Sequence, residues 1–410
     1  MSTTQAARKK FTMASAQENL YAVNLANVIC DVDTKKMGTV YNPFTTRPVA
    51  IDGAASSTTT YTVNSYSNDA DSLQVNRRAG AAEHIDSYDW KSAEIRLFED
   101  RGKQMGLTIS SVIDGYVLNL PVTTSGVTTL DDGDYGGTDG NPKTSSNTVI
   151  DDILNGAIME VDLVNSGSKR FAVVSAYEAN DLRGYLQSTG NMVMDEVLRN
   201  GIASQVRKVG TTFSGVDVFQ SNGITQTAVL GLATNPTDGD TITIGSGDFA
   251  VEVTFVATLS GGTSEIHIAS AVDITRANLV EWLNARGASD EAEGTDTGYA
   301  AGSAEEQATL TRLQVSATNN NSGDTATVTT KGVVKVSETL TDGTDTWATP
   351  YRYLVFGDYG SINLYLPSQG MEYTETKVSG KPGRELYMEQ FYNAVIWSRQ
   401  KSRVLAIKVN

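Results

Sequence analysis

The sequence predicts an α+β fold, and three observations predict it. Lys91 to Leu120, KSAEIRLFEDRGKQMGLTISSVIDGYVLNL, sets Phe98, Met105, Ile109, Val112, Ile113, Tyr116, Val117 and Leu120 at three-and-four spacing, one apolar stripe of a helix. From about Ser92 to Leu120 such a helix is roughly 40 Å long, well beyond the usual three or four turns. Residues 146–220 then run helix, strand, helix, strands. Residues 226–350 are rich in Thr, Gly, Asp and Ala and carry period-two strands.

Taken in order, residues 1–60 open with a short amphipathic stretch and continue as YAVNLANVICDVDTKKMGTVYNPFTTRPV, whose prolines and scattered apolar residues predict an extended arm. Residues 61–90 read as two strands, TYTVNSYS and SLQVNRRAGAAEHIDSYDW, joined by a polar turn at Asn68 to Asp71. A lone two-stranded ribbon is marginal in water, so this one should lean on something else. The long helix occupies 91–121 and a glycine-rich loop 122–145.

In residues 146–215, Ile150, Ile153, Leu154, Ala157, Ile158 and Val161 form a helical stripe, and FAVV at Phe171 to Val174 is a buried strand. Ser175 caps the next helix, with Glu178 completing a capping box. ASQVRKVGTTFSGVDVFQSN then reads as a strand pair broken at Gly210 and Gly215. Within 226–350, TDGDTITIG is a turn and strand, and FAVEVTFVA puts Phe249, Val251, Val253 and Phe255 on one face. Asp273 to Gly287 is a helix with an aspartate N-cap and a terminal glycine. ATLTRLQVSA, TATVTT and GVVKVS return to strands. From Tyr351 the earlier aromatic, β-prone style resumes, so residues 226–350 interrupt a domain instead of following it.

Composition narrows the function classes. A chain of 410 residues suggests two or three domains. With 32 Lys+Arg against 48 Asp+Glu the net charge is −16, which argues against nucleic-acid binding by the whole surface. Residues 226–350 hold 17 acidic and 5 basic residues and so carry −12 of that charge. No uninterrupted apolar run approaches a membrane span, and the N-terminus does not read as a secretory signal. Cys30, the single cysteine, reads as a small buried apolar residue. The two histidines, His84 and His267, lie far apart, and no HExxH, CxxC, GxSxG or Walker-type motif occurs. DDGDYGGTDGNPKT, with Asp131 to Asp139, invites a calcium reading; it lacks the glutamate of an EF-hand, and turn chemistry accounts for it better. No enzyme, cofactor or metal is expected.

These pieces, in this order, resemble the major capsid protein of tailed bacteriophages, the Hong Kong 97-like shell fold. The segments that carry the resemblance are the arm, the extended two-stranded E-loop, ISSVIDGYVLNL at the end of the spine helix, SKRFAVVSAYEANDLRGYL, GVDVFQSN, FGDYGSINLYL and AVIWSRQKSRVLAIKVN. The resemblance implies a peripheral domain over 146–215, an axial domain over 216–225 and 351–394, and a closing peripheral strand over 395–410. Residues 226–350, an inserted β-rich domain, look like a small module of phage virion proteins. It implies assembly into pentamers and hexamers of an icosahedral shell around double-stranded DNA held without sequence recognition. A separate scaffolding protein and a portal protein are the implied partners, and the location is the virion, assembled in the host cytoplasm without a membrane.

On that reading residues 61–90 lie across an adjacent subunit. Arg77 and Arg78 at one end, and Glu83, Asp86 and Asp89 at the other, supply complementary charge, while Tyr88 and Trp90 supply apolar anchors. Arg8, Lys9 and Lys10 form a basic cluster that could meet scaffolding protein or DNA. The acidic insert should sit on the outer face and keep particles apart. An encapsulin-type compartment shares this fold and is the alternative. A tail or decoration protein is suggested only by the insert.

Overall fold

The computed structural model describes residues 5–45, 68–86, 95–163, 169–188, 207–211, 215–245, 249–288, 298–341, 345–377 and 382–410. The first of these are not an extended arm. Gln5–Val23 is a 19-residue helix, α1, followed by the short helix α2, Ala26–Ile29. Ala16 and Leu20 are fully buried, so the amphipathic stretch noted in the sequence is one face of a helix of about five turns. Strands β1 (Asp31–Asp33) and β2 (Gly38–Thr45) follow.

The expected hairpin within 61–90 is also corrected. Asn68–Val75 is strand β3, with the supposed turn inside it, and it pairs antiparallel with β2 from Gly38↔Val75 to Thr45↔Asn68. Arg77–Ile85 is β4, which belongs to another sheet. The chain changes sheets at Asn76, so two consecutive strands never meet. Asn68, Asp69 and Asp71 imitate a turn because turns favour these residue types, while the partner that makes the segment a strand, β2, lies about 30 residues upstream. Residues 61–67 of the expected first strand lie outside the described residues.

The long helix is present as α3, Ile95–Thr123, 29 residues with Pro121 in its last turn. Leu97–Thr123 is long and apolar enough to cross a membrane by composition. Its stripe is covered by protein instead: Phe98, Met105, Ile109, Ile113 and Val117 are at most 3% exposed, between α1 on one side and a sheet on the other.

Beyond it come β5 (Thr128–Leu130), α4 (Ile150–Asp162), β6 (Arg170–Val174), α5 (Ala176–Ser188), β7 (Arg207–Thr211) and β8 (Val216–Gln220). The predicted stripe of α4 buries Ile150, Ile153, Leu154, Ala157 and Val161. Strand β9 (Thr225–Gly231) enters the insert, which holds β10 (Thr241–Ile244), β11 (Val251–Val256), β12 (Glu265–His267), α6 (Val272–Asn284), α7 (Ala304–Arg312), β13 (Ser316–Asn320), β14 (Thr325–Lys331) and β15 (Val336–Glu338). The chain returns through β16 (Tyr351–Asp358), β17 (Asn363–Tyr365), β18 (Met371–Thr376), β19 (Arg384–Val395) and β20 (Val404–Val409).

Three details of the insert differ from expectation. Within ATLTRLQVSA, residues 308–312 end the helix Ala304–Arg312 where a strand was expected, because Ser303 and Glu306 form a reciprocal capping box that starts a helix, and only residues 316–317 are strand. Asp273 is not the N-cap, a position held by Ala271; it sits in the first turn and binds Arg276. Phe249 stands before β11 and is 58% exposed, while Val251, Val253 and Phe255 are fully buried.

The sheets redistribute the expected domains. One sheet runs β13-β14-β9-β16-β6-β8-β7, with β20 on β16 and β5 on β20. A second runs β1-β17-β19-β18, with β4 also on β19, and lies against α3. Residues 216–220 and 351–358, expected apart from 170–174 and 404–409, therefore share their sheet, and 363–395 go to the other. Val355 and Phe356, both fully buried, explain it: so apolar a strand needs neighbours on both sides, and β6 and β20 supply them.

The insert is less separate than composition implied. It has its own core around Phe255, Trp282, Leu283 and Leu310 and its own sheet, β12-β11-β10-β15. Yet β9 pairs with β14 over seven residues and with β16 at Tyr351 and Arg352, so one sheet passes between the two cores. Gln226, 2% exposed, ties the two crossings: its Nε2 donates to the Val334 carbonyl at 2.7 Å and its Oε1 accepts from Val334 N–H at 3.3 Å.

Candidate assembly surfaces

The N-terminal helix is seated on α3 by the absence of side chains. An added Cβ on Gly102 would lie 2.4 Å from the Thr12 carbonyl oxygen, and one on Gly106 would lie 2.6 Å from that of Ala16. The two backbones therefore approach where glycines stand one turn apart. Arg8 fastens the end of α1. Its guanidinium reaches Glu375 of β18 at 3.3 Å, and the Glu375 side chain, with no exposed surface, also accepts from Arg384 at 3.3 Å and from the Tyr373 hydroxyl at 3.0 Å.

Arg8 is thus a structural partner and not a free cation of the expected basic cluster, whereas Lys9 and Lys10 are exposed. Buried carboxylates attract cations from distant segments, and no local spacing could show that. Replacing Glu375 by alanine removes the buried carboxylate that Arg8 and Arg384 share, so a loss of about 3–5 kcal/mol is expected, readable by chemical denaturation.

A second latch joins the segment after α1 to α3. The carboxylate of Asp114 accepts from the N–H groups of Leu25 at 3.2 Å and Ala26 at 2.8 Å. Although the residue as a whole is half-buried, these atoms are turned inward, and desolvation raises the Asp114 pKa from 3.8 to about 7, partly offset by the two N–H groups. A folded-state value above the unfolded one gives stability that is complete below about pH 4 and is lost as pH rises through 7. Thermal melts at pH 5 and pH 8 should therefore differ more in the wild type than in Asp114→Asn; an equal difference would exclude the raised pKa of Asp114. Cys30, nearby and buried, has its thiol pKa pushed up by burial and then by Asp114 and Asp31, as suits an apolar filler.

The ribbon β2–β3 belongs to neither main sheet. Its base packs Val40 and Val75 against Tyr365 and Trp397. Asp71 accepts from both the N–H and the hydroxyl of Ser398 at 3.0 Å, and Asn393 Nδ2 donates to the Gln74 carbonyl at 2.7 Å. Outside these contacts Met37, just before β2, and Tyr41, on it, stand 55% and 67% exposed. A second exposed pair, Met159 and Leu163, is set four residues apart at the end of α4. Neither pair was singled out from the sequence, although the alternation in TVYNPFT carried the signal for Tyr41.

Residues expected to contact a neighbour are largely engaged within the chain. Arg77 lies 4.1 Å from the centroid of the Tyr116 ring. Arg78 stacks on Phe391 and pairs with Glu389 at 3.6 Å, and Glu83 pairs with Arg101 at 2.5 Å. Asp86 is exposed at the end of β4, and Tyr88, Asp89 and Trp90 lie outside the described residues. The physical reason is the nine-residue pairing of β4 with β19, which draws these charges onto the chain's own sheet.

The aspartate loop is committed to holding its own turn. Asp131 accepts from the N–H groups of Gly133 and Gly140 at 2.8 Å, and Asp132 accepts from Thr138 N–H at 2.9 Å and Lys143 Nζ at 3.0 Å. Among the described residues no group of three or more His, Cys, Asp or Glu is placed to hold a metal ion.

No family model and no curated protein matches the chain. Among solved structures it is similar to the capsid of Ralstonia phage GP4, at 7% identity, with 93% of this chain and 87% of that chain covered and a TM-score of 0.47. It is similar to the capsid of Cyanophage P-SCSP1u at 9% identity, 95% and 89% coverage and a TM-score of 0.45. A virus-like particle from Pyrococcus furiosus aligns over 98% of both chains at 6% identity, with a TM-score of 0.41.

Proposed function

We propose that the chain is a shell subunit, the major capsid protein of a tailed bacteriophage, closing by five-fold and six-fold clustering around double-stranded DNA. One observation carries this reading. A 29-residue helix is sandwiched between an N-terminal helix and a sheet, beside a two-stranded ribbon that stands outside both main sheets. Such thin layers leave apolar side chains at their margins, among them Tyr41, Met159 and Leu163, which a neighbouring copy would cover. Closed symmetry satisfies every such margin with repeated copies of one contact and calls for no catalytic group. The ribbon β2–β3, more than β4, is the element that overlaps a neighbour. The strongly acidic insert faces outward, and a separate scaffolding protein and a portal complete the head, which assembles in the host cytoplasm.

Electron microscopy of the purified full chain, with assay of nuclease-resistant DNA in particles from infected or co-expressing cells, tests this. Round closed shells that protect double-stranded DNA are expected. Shells filled with a protein cargo and free of DNA would overturn the phage assignment, and small monodisperse particles would overturn shell formation.

A further inference from the structure

Met159 and Leu163, 62% and 74% exposed, stand one turn apart and form an apolar ridge at the end of α4. The other face of this helix buries Ile150, Ile153, Leu154, Ala157 and Val161, so the ridge points away from the chain's own core. Two acids accompany it, Glu160 and Asp162, the latter exposed although it binds Arg170. Elsewhere a cleft of about 680 Å³ opens between the first turn of α5 and the stretch leading into β15. Ala176, Tyr177, Val334, Val336 and Pro350 give it apolar walls, and Lys335, exposed, adds a positive charge. Three polar side chains in the walls are already engaged within the chain. Gln226 is bound to Val334, and Asp181 accepts from the Ser145 hydroxyl at 2.7 Å. Arg352 donates to Glu178 at 2.7 Å and lies 4.7 Å from the centroid of the exposed Tyr177 ring. Walls of this kind favour an apolar occupant that brings a negative charge to Lys335.

We infer that this cleft receives the Met159–Leu163 ridge of a second copy of the chain, with Lys335 facing the acidic end of that copy's α4. The contact rests on the shell-subunit reading above and names the surfaces through which two subunits join. A chain cannot fill its own cleft. Its α4 starts beside the far end of α5, where the Tyr185 hydroxyl meets Asp151 at 3.2 Å, and ends at Arg170, the first residue of β6. The cleft lies past the other end of β6, roughly 15 Å away along five extended residues. Of the other exposed apolar side chains, Phe249 already carries the Arg312 guanidinium 4.7 Å from its centroid, and Tyr41 presents a single ring on a strand. The α4 ridge offers two anchors on one helix face, flanked by charge opposite to Lys335, and a flexible methionine fits an irregular cleft. Ridge and cleft are different surfaces of one molecule, so the contact runs head to tail and closes into a ring when its rotation closes.

Cross-linking of mixed full-length variants tests the contact. Cys30, the single native cysteine, is buried with a raised thiol pKa and stays unreactive. Leu163→Cys and Lys335→Cys change exposed positions and should melt like the wild type. Mixed at assembling concentration and treated with a short bismaleimide, they should give a 163–335 link, identified by mass spectrometry. Its yield should be at least five-fold above that of Leu163→Cys mixed with Thr108→Cys, an exposed position on α3. Met159→Cys with Thr349→Cys is a second pair with the same expectation. Adding Val336→Asp to the Lys335→Cys chain should cut the yield at least five-fold. Both pairs linking no better than the Thr108 mixture, or a yield untouched by Val336→Asp, overturns the contact. Closed shells without these links would fell the contact and leave the shell reading standing, whereas linked rings that never close into shells would do the reverse. A single unassembled species throughout overturns both.

Discussion

Gly106→Leu is expected to lift α1 off α3. At that position even a Cβ would stand 2.6 Å from the Ala16 carbonyl oxygen and 3.0 Å from its Cα, and backbone atoms cannot turn aside as a side chain can. Overpacking a well-fitted contact costs about 1–3 kcal/mol, and here the alternative is to give up the burial of Ala16 and Leu20 altogether. Hydrogen exchange over residues 5–23 should rise sharply and the melting temperature should fall by several degrees. Gly115→Ala supplies the control on the same helix. Its Cβ would meet only the Gly223 carbonyl oxygen at 3.9 Å, so removing the glycine should stabilise by about 0.5–1 kcal/mol. If Gly106→Leu kept residues 5–23 protected and melted like the wild type, the close crossing would be wrong.

Glu178→Ala should be the most damaging single change in the larger core. Glu178 has no exposed surface, and its Oε1 accepts from Arg352 at 2.7 and 2.9 Å while Oε2 accepts from Ser175 N–H at 3.2 Å. One carboxylate thereby caps α5 and neutralises the only charge at the start of β16, where host sheet and insert join. Removal strands a buried guanidinium at a cost of about 3–5 kcal/mol, close to the whole stability of many domains. Urea denaturation of the unassembled chain checks it. A loss under about 1 kcal/mol, the size expected for an exposed pair, would contradict the buried reading.

Much of this was legible in the sequence wherever the signal is local and repeated. The stripe of α3, that of α4, FAVV as a buried strand and the Ser175–Glu178 box all follow from spacing alone. What failed depended on partners far along the chain. Nothing within residues 68–85 says that Asn76 separates two sheets, because β3 answers to β2 and β4 to β19, some 300 residues later. Glu375 is likewise silent about Arg8. Alternation in ATLTRLQVSA suggests a strand throughout, whereas the helix signal, the Ser303–Glu306 capping box, lies just before that run. Of the expected contact residues, Arg77, Arg78 and Glu83 are drawn onto partners within the chain by the pairing of β4 with β19. Exposed apolar pairs on the ribbon and on α4 are the better candidates, since aromatic and apolar anchors carry most of the energy of such contacts.

Sedimentation velocity of the purified full chain, across a range of protomer concentrations, asks whether a molecule that leaves Tyr41, Met159 and Leu163 exposed is complete by itself. Large closed particles or ring-shaped oligomers are the predicted result, with Tyr41→Ser or Leu163→Ser shifting material toward slower species. A single 43.8 kDa species at every concentration, unaffected by either change, would contradict the account.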